Sequence, residues 1–138
     1  MITLKINSIT YEDYLAIRQK VNWKKLLPEQ AKKALKNSLY VVGAYDGEQL
    51  VGMGRIVGDG AVISYVQDLI VVPECQQKGI GSMVLNQLIT FVEQLRMDGS
   101  EMMLCLMCAK GREGFYEKHG FIARPTDALG PGMIQYLR

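Results

Sequence analysis

Leu69-Ile70-Val71-Val72-Pro73-Glu74-Cys75-Gln76-Gln77-Lys78-Gly79-Ile80-Gly81-Ser82 is the stretch on which the reading of this chain turns. It opens as a buried strand that stops at proline. From Ile80 onward the apolar residues change period: Val84, Leu88, Phe91 and Leu95 follow at helical spacing. The spacing predicts a long amphipathic helix over about Gly79 to Met97, ended by Asp98-Gly99, with two glycines at the strand-to-helix junction. The first amides of a helix have no intrahelical acceptor, the helix dipole presents positive charge there, and a missing side chain lets an anion approach the backbone. A phosphate or pyrophosphate suits such a turn. A lone G-x-G also serves merely to turn the chain, so both readings stand at this point. There is no Walker G-x-x-x-x-G-K-S/T, and the third glycine of a dinucleotide-binding G-x-G-x-x-G is replaced by Val84.

Working outward toward the N-terminus, three strands in succession are predicted at Leu39–Tyr45, Gln49–Val57 and Ala61–Val72. Asp46-Gly47 and Gly58-Asp59-Gly60 supply the turns of an antiparallel meander. Before them, Ile2–Ile6 alternates like a strand, Thr10 caps a helix over Tyr11–Lys20, and Pro28 opens another through about Lys36. Toward the C-terminus, Glu101–Met107 reads as a buried strand and Gly111–His119 as a short helix stopped by Gly120. Phe121-Ile122 and Met133–Leu137 are predicted to be two further strands.

The formal net charge of +2 with scattered lysines argues against a nucleic-acid partner. The longest apolar runs fall far short of the about 20 residues that span a bilayer, and the first residues do not resemble a signal peptide, so a cytoplasmic setting without a membrane partner is expected. Cys105-x-x-Cys108 has no second ligand pair and the chain has one histidine, so no metal site is expected.

Taken together, Gln76-x-x-Gly79-x-Gly81 resembles the Q/R-x-x-G-x-G/A motif of the GNAT superfamily of acyl-CoA-dependent N-acyltransferases. Val71-x-Pro73-Glu74 is similar to the strand end that this family places before the motif. Phe115-Tyr116-Glu117-Lys118-His119-Gly120-Phe121 looks like the family's F-Y-x-x-x-G-F segment. The resemblance implies an α/β (α+β) fold in one domain over residues 1–138. Its central sheet would be mixed and mostly antiparallel, splayed between the fourth and fifth strands and flanked by about four helices.

The same resemblance implies acetyl-CoA as co-substrate, an N-acetyltransferase activity, and a small-molecule or peptide amine as acceptor. The cofactor-binding residues would be Leu69, Ile70 and Val71 on the strand, with Gln76, Gln77, Lys78, Gly79, Ile80, Gly81 and Ser82 in the loop. Tyr116 would be the general acid that protonates the leaving thiolate, and Asp68 a candidate base for the amine. Strand alternation puts Asp68 on one face with Ile70 and Val72, opposite Gln67, unless a bulge intervenes. Many relatives have an asparagine seven residues before the tyrosine; Ala109 stands there, and Lys110 or Arg112 is a candidate replacement. The acceptor pocket is expected from Val21–Leu27, the central strand and the Arg124–Pro131 loop. So small a domain has little surface with which to enclose a substrate, which makes a homodimer plausible. The alternative reading is a non-catalytic acyl-CoA-binding sensor.

Overall fold

The computed structural model describes all 138 residues. They form two compact units, Met1–Cys105 and Leu106–Arg138. The elements in order are β1 (Ile2–Ile6), α1 (Tyr11–Lys20), α2 (Pro28–Lys36), β2 (Tyr40–Asp46), β3 (Gln49–Gly58), β4 (Ile63–Val71), a 3-10 turn (Pro73–Cys75), α3 (Ile80–Leu95), β5 (Met103–Leu106) and α4 (Glu113–Glu117). The strands form one mixed sheet in the order β1-β2-β3-β4-β5, antiparallel through β4 and parallel between β4 and β5. No helix is long and apolar enough to cross a membrane.

Local chemistry sets most boundaries. Thr10 Oγ1 accepts the Asp13 amide at 3.1 Å and starts α1. Gln30 Oε1 accepts the Leu27 amide at 3.2 Å, and Pro28 occupies the first turn of α2. β4 begins at Ile63, two residues later than the sequence predicts, for a physical reason. Asp59 Oδ1 takes the amides of Ala61, Val62 and Ile63 at 2.8, 2.8 and 3.1 Å, holding the start of that segment in a turn.

One face of the sheet is covered by α3, whose Ile80, Val84, Leu85, Leu88 and Val92 are buried. Close approach depends on glycine in β3. A Cβ on Gly54 would lie 2.8 Å from Leu88 Cδ1 and 3.0 Å from Val84 Cγ1. Beside this packing, Tyr40 stacks on Phe91 with centroids 3.9 Å apart.

Between β3 and β4 the register slips. Met53 faces Ile70 and Arg55 faces Gln67, so Asp68 and Leu69 together stand opposite Gly54. This is a β-bulge, and Asp68 adopts the left-handed conformation with φ 56°. Because directly opposed residues share a face, the bulge brings Gln67 onto the face of Arg55, and the strict alternation expected for β4 fails there. β5 meets the beginning of β4: the Met103 amide donates to the Val62 carbonyl at 3.0 Å. At about 3.3 Å per residue, a strand of four residues starting there ends well before Leu69–Val71. The edge of β4 at its C-terminal end is therefore open.

The two strands predicted at Phe121-Ile122 and Met133–Leu137 are absent from the sheet. After Phe121 the chain makes a turn in which Thr126 Oγ1 accepts the Leu129 amide at 3.0 Å, and the Thr126 amide donates to the Leu129 carbonyl at 2.8 Å. Pro125 and Pro131 have no amide to give, and glycines flank Pro131. Met133, Ile134, Tyr136 and Leu137 carry a strand-like composition but are exposed.

Candidate functional site

The C-terminal end of β4 and the loop into α3 form one construction. The Val72 amide donates to Val51 on β3 at 2.9 Å. Alternation along a strand then turns the Val71 N–H and C=O away from β3, toward the open edge. The Val71 carbonyl accepts the side-chain amide of Gln76 at 2.9 Å. Gln76, predicted to belong to the cofactor loop, thus fastens that loop to the strand end.

Beyond Gln76 the backbone turns through two left-handed residues, Gln77 at φ 63° and Gly79 at φ 82°. Gly79 is the N-cap of α3, and the first helical bond runs from the Met83 amide to the Gly79 carbonyl at 3.1 Å. The amides of Gln77, Lys78, Gly79, Ile80, Gly81 and Ser82 precede that bond and make no backbone hydrogen bond. Alternation of left-handed and ordinary residues turns successive amides into an anion-binding concavity, and the α3 dipole adds positive potential. A Cβ on Gly79 would meet nothing within 4 Å, so this glycine is needed for its φ and not for space. The donor set fits a diphosphate. The left-handed Gln77 carries no sequence signal, since any residue type can be forced there by its neighbours at a cost of about 1–2 kcal/mol.

Asp68 sits in a different environment from the one its position suggests. Its side chain is fully buried and takes four donors. Tyr14 Oη and Arg55 Nε donate to Oδ2, the latter at 2.8 Å. Arg18 Nη1 donates to Oδ1 at 2.7 Å, and Gln67 Nε2 lies 3.4 Å from the same oxygen. Arg18 also donates from Nη2 to the Lys24 carbonyl at 2.9 Å and lies 5.4 Å from the centroid of the Trp23 ring. Arg55 Nη1 donates to Ser38 Oγ at 3.1 Å, which in turn donates to the Ala34 carbonyl at 2.7 Å. Burial, and next the Asp68 charge, push the Tyr14 phenol up to about 12. Sequence reading missed Tyr14, Arg18 and Arg55. The available signal was Arg55 inside an otherwise apolar strand, because a charge there needs a buried partner.

Tyr116 belongs to the second unit. It lies on α4, half-buried, with its ring 5.1 Å from Phe115 and 5.9 Å from Phe121, both edge-on. The amides of His119 and Phe121 both donate to the Tyr116 carbonyl, at 2.9 and 3.2 Å, and Gly120 at φ 91° closes the turn. Burial is the leading cause that raises the Tyr116 phenol above its usual value. Arg112, considered as a replacement cofactor contact, places its guanidinium 5.7 Å from the Phe115 ring.

The acetyltransferase (GNAT) domain family matches residues 36–123, which include the loop, the bulge and Tyr116. A GNAT-family acetyltransferase from Streptococcus pneumoniae TIGR4 is 33% identical, with a TM-score of 0.81, covering 100% of this chain and 99% of its own. A probable acetyltransferase of unknown function from meticillin-resistant Staphylococcus aureus is 29% identical with a TM-score of 0.86, covering 99% of this chain and all of its own. The uncharacterized N-acetyltransferase ycf52 of Pyropia yezoensis is 29% identical over 114 residues, 80% of this chain and 63% of its own length. The chain thus spans under two thirds of the length of the curated relatives it matches. By the matched family and by the Streptococcus pneumoniae relative, this chain belongs to the GNAT acetyltransferase family.

Proposed function

We propose that the chain is an N-acetyltransferase that moves an acetyl group from acetyl-CoA to a primary amine of a small molecule or peptide, by direct attack in a ternary complex, with residues 1–138 acting as one domain. The observation that carries this reading is the run of six unpartnered amides from Gln77 to Ser82, tied through Gln76 to the open edge at Val71. Acetyl-CoA supplies the activated acetyl thioester.

In this reading the amides of Gln77–Ser82 hold the diphosphate, with Lys78 as a nearby exposed cation. Leu69, Ile70 and Val71 hold the pantetheine arm along the β4 edge, and the Val71 N–H donates to the acetyl carbonyl, where negative charge develops on attack. Tyr116 gives its proton to the departing thiolate, since a raised phenol keeps that proton at neutral pH. Asp68 acts as a positioning residue and not as the base. Its oxygens are occupied by two guanidinium groups, a phenol and an amide, and the cluster holds the bulge from which the open edge of β4 departs. The amine must arrive neutral, and the proton it sheds goes to water.

A thermal-unfolding scan with excess acetyl-CoA, with ATP as control, tests the co-substrate site. Ligand at about 100 times its dissociation constant adds roughly 2.7 kcal/mol and raises the midpoint by several degrees. No shift with acetyl-CoA would sink the reading. A shift with no thiol release across a panel of primary amines would instead favour an acyl-CoA-binding sensor.

A further inference from the structure

The second compact unit, Leu106–Arg138, contains no buried residue. It carries one short helix, α4, its Cys108 is free, and chain segments below about 40 residues need a staple or a partner to hold a fold. Ile122, Met133, Ile134, Tyr136 and Leu137 stand in solvent, Met133 and Leu137 at 87% and 86% exposure. The amides of Met133–Leu137 make no backbone hydrogen bond. On the first unit, β5 is the last strand of the sheet, so its outer edge is unpaired. Met103 on β5 and Val62, whose carbonyl accepts the Met103 amide, are also exposed. The chain therefore holds a strand-forming segment without an edge and an edge without a strand.

Accessible area says how large a cover this surface needs. The chain exposes 9305 Å², whereas a compact monomer of 15.5 kDa exposes about 7,200 Å². The surplus is roughly 2,000 Å² per chain, or about 4,000 Å² for two chains, within the range of about 2,000–5,000 Å² that obligate homodimers bury.

We propose that the cover is a second copy of this chain. Leu106–Arg138 of each chain packs on Met1–Cys105 of the other, with Met133–Leu137 pairing along the partner's β5 edge. Reciprocal exchange about a two-fold axis satisfies both needs in both chains and closes the assembly. The connection that makes the exchange is Met107–Arg112, which is exposed throughout and holds neither helix nor strand. The exchange has a consequence for the chemistry, because the Gln77–Ser82 loop and the Val71 edge lie in the first unit and Tyr116 in the second. Each site is then completed by the partner's Tyr116. That last point rests on the acetyltransferase reading; the exchange itself does not.

The test uses the full chain. Sedimentation equilibrium should give the mass of a dimer, and a monomer would overturn the proposal. Nitrogen-isotope-labelled and unlabelled chains are refolded together and treated with a short amine-reactive cross-linker. Lys118, exposed on the exchanged unit, should be joined to lysines of residues 1–105 in mixed-isotope products. Products of a single isotope only would overturn the proposal. Turnover gives a second readout, from dimers of two differently tagged chains purified on both tags. One chain carries Tyr116→Phe. The other carries Gly81→Asp with Ser82→Asp, which suit the first turn of α3 and put two carboxylates where the diphosphate would lie. Each parent homodimer should turn over about tenfold or more below wild type. The mixed dimer should recover about half of wild-type turnover, since one of its two sites is complete. A mixed dimer no more active than its parents would overturn the proposal. A wild-type dimer with mixed-isotope cross-links that transfers acetyl to no amine would leave the exchange standing and remove the acetyltransferase reading.

Discussion

Gln76 donates its side-chain amide to the Val71 carbonyl at 2.9 Å, so one hydrogen bond joins the loop before α3 to the strand end beside it. The bond is solvent-exposed, so its contribution to stability is small, about 0.5–1.5 kcal/mol. Its value lies in register. Gln76→Ala should leave the fold nearly as stable and raise the dissociation constant for acetyl-CoA severalfold, measured by titration. Unchanged affinity would show that the loop finds its place without the tether.

Gly79→Ala should cost stability through backbone conformation alone. Its φ of 82° is unfavourable for any residue with a Cβ, yet the added atom meets nothing within 4 Å. A loss of about 1–2 kcal/mol is expected in urea denaturation, together with weaker acetyl-CoA binding as the loop relaxes. A loss far above that range would mean that the Cβ meets something the open surroundings do not contain.

Asp68→Asn removes the one negative charge between two buried guanidinium groups while keeping the shape. Breaking such a pair costs about 3–5 kcal/mol, because the remaining charges are left uncompensated. The urea midpoint should drop accordingly. A loss under about 1 kcal/mol, with turnover abolished, would return Asp68 to the role of a catalytic base.

Tyr116→Phe should lower turnover by tenfold or more, within the range of a lost general acid, and leave acetyl-CoA affinity nearly unchanged. With its phenol raised by burial, the wild-type acid limb should lie above the ordinary tyrosine range. Equal turnover in the variant removes Tyr116 from the mechanism.

Tyr14 makes the alkaline limit of stability testable. Its folded value is raised from 10.0 to about 12, so the folded state holds that proton more tightly than the unfolded state. The contribution is fully present below about pH 10 and is lost as pH rises toward 12. Tyr14→Phe should flatten the fall of the denaturation midpoint across that window. A slope identical to wild type would show that other groups govern alkaline unfolding.

The amino-acid sequence by itself determined the elements from β1 to α4, because each is written in local chemistry. The Thr10 cap, Pro28, the Asp59 turn and the helical spacing from Ile80 to Leu95 act over a few residues and need no distant partner. The same holds for the loop, whose glycine at position 79 and helix start at Ile80 are adjacent in the chain. What only tertiary structure decided is what surrounds Asp68. Its partners Tyr14, Arg18 and Arg55 come from 54, 50 and 13 residues away, and the bulge that turns it toward them depends on pairing with β3. The strand-like pattern at Met133–Leu137 marks the same boundary from the other side. Alternation states which face a strand would bury, but a strand exists only where another edge accepts its hydrogen bonds, and no strand of the sheet pairs with this segment.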